Sequence, residues 1–153
     1  MKPLLVLIGV FAIGLFATMP ITDWADLSLA GRIAMAVMLV FTAIGHFAFV
    51  DGMAMMMPEI FPLKRQIVYL TGVIEVAAAA GLLVPSLVHL TGWLLIAFFV
   101  CVLPANINAA MKNVDFQKAT NDGSGPGYLL FRMPLQIFFI AWVWVFAIHF
   151  YRQ

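Results

Sequence analysis

Long apolar runs separated by short polar connections dominate the chain. Five such runs are visible, at residues 3–19, 33–50, 67–84, 90–110 and 128–151. Each is near the ~20 residues that a helix needs to cross ~30 Å of hydrocarbon. The runs are continuous and not alternating, and a helix satisfies its own backbone hydrogen bonds in lipid. The pattern therefore predicts an all-α fold, a polytopic transmembrane helical bundle of five spans.

Composition supports this interpretation and limits the partners. Hydrophobic residues make up 65% of the 153 residues and charged residues only 10%, whereas an average soluble chain has roughly 25% charged residues. Too little charge is present to cover a surface that faces water. The formal net charge is +1, so no basic field is available to recruit nucleic acid. We expect a single membrane domain over residues 1–153, with the lipid bilayer as its partner.

The basic residues predict an orientation. One side of the predicted bundle carries Lys2, Lys64, Arg65, Lys112 and Lys118, and the other side carries only Arg32 and Arg152. By the positive-inside rule, the N-terminus is cytoplasmic and the C-terminus lies outside, in the plasma (inner) membrane. The first run resembles a signal peptide, but no A-x-A-like cleavage site precedes Pro20, so we expect a retained span.

The connections between the runs differ in character. The first (20–31) is predicted to be a short polar link that carries Asp23 and Asp26. The second (51–66) is apolar but broken by two prolines, so we expect it to lie along the cytoplasmic interface. The fourth (112–127) is the only strongly polar loop.

Polar side chains recur in four of the five runs, all in the predicted cytoplasmic half. The candidate ligand-binding residues are His46, Glu75, Asn106, Arg132 and Gln136. An ionisable group in a span costs about 2.5–3.5 kcal/mol on insertion scales and usually marks function. In the functional interpretation, Glu75 and Arg132 form a charge pair in a polar cavity, and His46 and Glu75 handle protons. In the alternative, these groups only hydrogen-bond one another and fix the packing.

Pro104 precedes Asn106 and Asn108 in the fourth run and should bend that span. The two asparagines lie about 200° apart around a helix, so both cannot face one cavity equally. A kink with nearby amides suits a binding pocket, and it equally suits helix packing.

Other residue types suggest weaker possibilities. Arg32 is expected to be a snorkelling anchor at the outer surface. The methionines between positions 53 and 57 fit a copper(I) site, but adaptable packing is the more common role of such a cluster. His89 and His149 lie at similar depth, as a haem pair requires, although interfacial histidines are more common. Cys101 is expected to be a small buried hydrophobe.

Several short segments, in order, resemble the DoxX family of small membrane proteins. They are GHF at 45–47, Pro58 with FP at 61–62, VYLTGVIE at 68–75, GLLVP at 81–85, LPANI at 103–107 and RMPLQ at 132–136, followed by a Trp-rich end. The resemblance covers most of residues 32–151. It implies a four-helix core over that range, with residues 1–31 forming an additional N-terminal helix and link.

The resemblance also implies a functional context. DoxX members are linked to quinone-coupled thiosulfate oxidation and to membrane redox or oxidative-stress complexes. The positions that match the family pattern are again His46, Glu75, Asn106, Arg132 and Gln136. Some redox-associated relatives carry paired cysteines, whereas this chain has one, which excludes a dithiol mechanism for this chain alone.

Three functions follow as hypotheses. The first is a redox-associated subunit, at most a membrane subunit of an oxidoreductase complex, that binds a quinone-like or other small amphiphilic ligand. No haem, flavin or metal motif is visible, so a redox partner would supply the electron-carrying centre. The second is a non-catalytic membrane partner that assembles or anchors other proteins. The third is a small-solute transporter, against which the lack of an internal repeat argues.

Overall fold

The computed structural model describes residues 2–17 and 24–151, and this part of the chain folds into helices without a β-strand. The all-α prediction is confirmed. The helices are α1 (Lys2–Ala17), α2 (Trp24–Ala48), α3 (Val50–Met56), α4 (Lys64–Gly81), α5 (Val88–Cys101), α6 (Leu103–Met111) and α7 (Leu129–Val143). Short 3₁₀ turns cover Pro85–Leu87 and Gly125–Tyr128, and a π-helix at Trp144–His149 continues α7.

Three helical segments are long and apolar enough to cross a membrane. They are Leu27–Ala48, Pro85–Met111 and Gly125–His149. The apolar helix α1 is shorter, and the 18 residues of α4 include three charged side chains. Large apolar side chains such as Phe16, Leu130 and Ile137 are exposed on the outside of the bundle, as expected where a surface faces lipid and not water. The fold is that of a membrane protein, while the number of five crossings stays a prediction.

Helix α2 is the centre of the bundle, with α1 and α4 packed along it. Its apolar side chains Ala34, Met35, Met38 and Leu39 are buried almost completely, together with Leu7 of α1 and further residues of α4, α5 and α7. Helix α7 and its π-helical continuation pack against α5 and against the first half of α2. Ser28 and Arg32, two polar residues in the first half of α2, are buried as well.

The helix predicted over residues 90–110 is interrupted, as the proline indicated. Helix α5 ends at Cys101, Val102 adopts a turn, and α6 begins at Leu103 with Pro104 in its first turn. Proline lacks an N–H and fits the first turn of a helix, where that donor would have no intrahelical partner. The helix is interrupted at the predicted position, and carbonyl groups at the end of α5 are left for other donors.

The second connection and the polar loop pack on each other. Helix α3 lies within the second connection, and a Cβ at Gly52 would overlap the backbone carbonyl of Phe116. The ring of Phe116 lies edge-on to Phe49, with 6.1 Å between centroids. The Asn108 side chain donates to the carbonyl of Met56, which ends α3, at 2.8 Å. Residues 112–127 are thus held over one end of the bundle.

Two local predictions were wrong. Residues 24–31 form the first two turns of α2 and not a polar link, because Asp and Ser are well tolerated in the first turns of a helix. The rest of that connection, including Asp23, lies outside the described residues. Cys101 is exposed and not buried, because a continuous apolar run does not show which face of a helix points outward.

Candidate functional site

His46 and Glu75 meet where α2 and α4 cross. His46 lies in the last turn of α2, and Glu75 lies in the second half of α4. Gly72, one turn before Glu75, allows this approach, because a Cβ there would lie only 2.9 Å from the Cβ of His46. The glycine therefore brings the imidazole close to the α4 surface.

Two oxygen atoms lie within hydrogen-bonding distance of Nδ1 of His46. Nδ1 lies 3.2 Å from the Val68 carbonyl oxygen and 2.9 Å from Thr71 Oγ1. The Thr71 hydroxyl donates to the same carbonyl at 2.8 Å, so its oxygen is free to accept. Because a carbonyl oxygen can only accept, its contact with Nδ1 is a hydrogen bond when Nδ1 carries the proton.

Nε2 of His46 faces Glu75. The distance from Nε2 to Oε1 is 3.6 Å, and the exposed fractions of the two side chains are 17% and 8%. One proton between these atoms can give either a neutral imidazole beside a carboxylic acid or an imidazolium beside a carboxylate.

The second oxygen of Glu75 has no partner. Oε2 is buried and forms no hydrogen bond. A buried polar atom without a partner costs on the order of 1–3 kcal/mol, and such an atom usually has an explanation such as strain, catalysis or a missing water or ion. A donor that arrives from outside the chain would satisfy it.

The predicted charge pair of Glu75 with Arg132 is not formed. Among the ion pairs of the described residues, Glu75 contacts His46 and not Arg132. The Nε of Arg132 instead donates to the hydroxyl of Tyr128 at 2.7 Å, and its guanidinium lies 5.1 Å from that ring centroid. The reason is topological: α4 packs mainly on α2 and α3, while α7 packs on α5 and α6. Glu75 and Arg132 were predicted to lie at similar depth in the membrane, but similar depth did not make them neighbours.

The amide side chains serve helix packing. Gln136 is buried, and its Nε2 donates to the Phe99 carbonyl at 2.7 Å. Phe99 lies in the last turn of α5, where carbonyls lack partners within the helix. Asn106 is also buried, and Asn108 bonds α3. Of the five predicted site residues, the structure joins only His46 and Glu75 by a direct polar contact, and it adds Thr71, whose hydroxyl fixes the imidazole.

Arg32 was misjudged from sequence. It is only 7% exposed, and its Nη1 donates to the Leu82 carbonyl at 3.1 Å. Its guanidinium carbon lies 4.6 Å from the centroid of the Tyr151 ring. The prediction of a snorkelling anchor is wrong, because the turn after α4 and the end of the π-helix cover this side of α2. The position of Arg32 near the end of a predicted span suggested that its side chain is exposed. No local sequence signal indicated that distant segments would bury it.

A family model described as "Domain of unknown function (DUF8561)" matches residues 35–147, about three quarters of the chain. The chain belongs to this family. No curated protein and no solved structure matches it. The resemblance to the DoxX family is not tested by this match and stays a prediction.

The part of the chain that matches the DUF8561 family contains His46 and Glu75 but neither α1 nor Arg32. The buried pair therefore belongs to the region that defines the family, while Arg32 lies just before it.

The metal and haem hypotheses gain no support from the geometry. No group of three or more His, Cys, Asp or Glu side chains is gathered among the described residues. His149 stacks on Trp144 at 5.0 Å between centroids, and the rings are 15° from parallel. Met56 is buried, and Met53, Met55 and Met57 are half-buried, as packing residues would be.

Proposed function

We propose that this DUF8561 protein crosses the plasma membrane five times, with α1, α2, α4, the α5–α6 pair and α7 as the spans. At ~1.5 Å per residue, α1 and α4 are about 24 and 27 Å long, close to the ~30 Å hydrocarbon core. Lys64 and Arg65 open α4 and would lie in the headgroup region. The N-terminus is then cytoplasmic and the C-terminus outside.

A reporter fused after Gln153 tests this topology. We expect alkaline phosphatase, which is active only outside the cytoplasm, to be active there, and green fluorescent protein to be dark after export. Fusion after Lys118 should give the opposite result. Cytoplasmic activity at both positions would contradict five crossings.

We propose further that His46 and Glu75 form a proton-exchanging site for a small amphiphilic ligand of the quinone class. The observation that carries this is the buried Oε2 of Glu75, which lacks a donor. A quinol hydroxyl is such a donor, and a ring with an isoprenoid tail matches a site that lies among apolar helices. In this role the chain is the membrane subunit of a redox complex.

The chemistry assigned to this chain is limited to protons. Oxidation of a quinol releases two electrons and two protons. The electrons pass to a redox centre that a partner protein would supply. One proton moves from the quinol hydroxyl to Glu75, and through Oε1 to Nε2 of His46, the more exposed member of the pair. The second proton leaves with solvent.

Mass spectrometry of small molecules extracted from the purified protein tests the ligand. The wild type, Glu75→Gln and the control Glu59→Gln should be purified from native membranes. Glu59 is exposed outside the helices and pairs with Lys112, so its replacement removes a carboxylate without touching the site. We expect a quinone or a similar amphiphile in the wild type and in the control, and its loss in Glu75→Gln.

Equal amounts of the ligand in Glu75→Gln and wild type, or bulk lipid alone in all three, would refute the ligand site. A stoichiometric protein partner without any small molecule would favour the assembly function instead.

A further inference from the structure

A second polar site lies at the other end of α2, around Arg32. Arg32 precedes His46 by fourteen residues, or about 21 Å along a helix. No side chain is shared between the two sites. The Arg32 site is formed by the first half of α2, the turn after α4, the end of α7 and the π-helix that follows it.

Not all hydrogen-bond donors of the Arg32 guanidinium have a partner. Nη1 donates to the Leu82 carbonyl, whereas Nε is buried and has no hydrogen-bond partner. Among the described residues, no carboxylate forms an ion pair with Arg32. A guanidinium cannot give up its proton in a protein, so this positive charge persists inside an apolar bundle.

A narrow cleft lies beside Arg32. It is lined by Gly31, Arg32, Met35, Leu82, Trp142, Val143, Phe146 and Ala147. In this conformation the lining side chains leave no room for even a water molecule. A group that binds the arginine here must therefore displace a lining side chain.

Hydrogen bonds and a closely packed aromatic ring hold the lining of this cleft in place. Gly31 leaves room for the ring of Phe146, and Trp142 donates to the Gly31 carbonyl at 3.0 Å. Ser28 donates to the Phe146 carbonyl at 2.8 Å. Phe146 and Ala147 belong to the π-helix, a rare geometry that is frequent at functional sites.

We propose that Arg32 binds the oxyanion group of an anionic amphiphile, a carboxylate or a phosphate, whose acyl chain lies along the apolar surface of the bundle. Nη1 is occupied by Leu82, which leaves the edge that carries Nε–H and Nη2 for the ligand. This edge can donate two parallel hydrogen bonds, one to each of two oxygens of a carboxylate or phosphate, in a bidentate arrangement. The anion also compensates the buried charge.

The ligand comes from the lipid phase, because the cleft is lined by apolar and aromatic side chains and because Arg32 lies in a segment able to span the membrane. A fatty-acid carboxylate and a phospholipid phosphate share the chemistry that Arg32 recognises. Free inorganic phosphate shares it too but lacks the chain.

Tryptophan quenching by brominated lipids tests the site, since Trp142 lines the cleft. The full-length protein in a neutral detergent should be titrated with dibrominated stearate, dibrominated phosphatidylglycerol and dibrominated phosphatidylcholine. We expect saturable quenching by the two anions and at least tenfold weaker quenching by the zwitterionic lipid. Competition by inorganic phosphate alone would identify a free oxyanion, and not a lipid, as the ligand.

Three variants make the test specific. Arg32→Gln should weaken binding of both anions at least tenfold, and Arg32→Lys should weaken it several-fold, because lysine keeps the charge but cannot donate in this bidentate arrangement. Arg65→Gln is the control: it removes an exposed arginine that pairs with Asp51 and should bind as the wild type does. Trp142→Phe should remove most of the saturable quenching.

Equal quenching by all three lipids in the wild type would overturn the proposal, and this result does not depend on whether a variant folds. Unchanged anion binding in Arg32→Gln would overturn it as well.

Discussion

At the scale of single residues, three polar contacts hold the imidazole of His46. The Val68 carbonyl and the Thr71 hydroxyl occupy Nδ1, and Nε2 is left to face Glu75. A pair that only fixed packing would be expected to satisfy both carboxylate oxygens, yet Oε2 of Glu75 stays without a partner. The pair therefore costs folding free energy, as sites kept for function often do.

This cost predicts the effect of breaking the pair. His46→Ala should lower the free energy of unfolding by about 1–3 kcal/mol, because Glu75 then loses its only partner in a buried position. The double variant His46→Leu/Glu75→Leu should recover most of this loss, since apolar replacement of both partners is often neutral or stabilising. Equilibrium unfolding in mixed detergent micelles measures both. A single variant as stable as the wild type would contradict the coupling.

Gly72 gives a second prediction at this scale. Gly72→Ala places a methyl group 2.9 Å from the Cβ of His46, so α2 and α4 must separate, at a cost of about 1–3 kcal/mol. Gly9 is the matched control, because it is also helical but has nothing within 4 Å of an added Cβ. Gly9→Ala should be neutral or stabilising by up to about 1 kcal/mol. Equal unfolding free energies for the two variants would show that the crossing is not tight.

At the scale of helices, the interruption between α5 and α6 could be predicted from the sequence. The side chain that donates to the carbonyl group at the end of α5 could not. Pro104 indicates the break because proline removes a backbone donor wherever it occurs in a helix. The Gln136 side chain that satisfies Phe99 lies on another helix, thirty-seven residues away in sequence. The depth of Gln136 was predictable from the chain, whereas its neighbour depends on which helices pack together.

The contact between α3 and the polar loop gives a prediction for these elements. Gly52→Ala should detach residues 112–127 from α3, because a Cβ at Gly52 would overlap the Phe116 backbone. Limited proteolysis should then cut this loop many times faster than in the wild type. Gly45→Ala is the control, since its Cβ would meet only the methyl group of Met53 at 3.5 Å. Equal cleavage rates in both variants would contradict the contact.

An exposed ion pair links the second connection, after α3, to the start of the polar loop. The hydrogen bond and charge of Lys112 lower the pKa of Glu59 below its ordinary value of 4.5, with a smaller contribution from Lys64. Because the pKa is lower in the folded protein, the pair contributes to stability above pH ~4.5 and loses this contribution as pH falls through the lowered value. Carboxyl chemical shifts should show Glu59 titrating below 4.5, and Lys112→Met should move the midpoint upward. An unchanged midpoint would exclude the pair.

At the scale of the whole molecule, composition and the length of the apolar runs predicted an all-helical membrane protein. The same runs did not predict the neighbours of each helix. The order of packing around α2 decides that Glu75 meets His46 and that Arg132 does not reach it. The burial of Arg32 depends on the turn after α4 and on the chain end, which are fifty or more residues away in sequence. Such long-range contacts have no local signature.

The proposed site depends on the contact between Nε2 of His46 and Oε1 of Glu75, which lie 3.6 Å apart. Nitrogen-15 NMR of histidine-labelled protein in lipid bilayers observes this directly, with His46→Gln used to assign the signal. We predict that Glu75→Gln shifts the Nε2 signal of His46 while the signals of His89 and His149 are unchanged. A His46 signal that is insensitive to Glu75→Gln would contradict the contact.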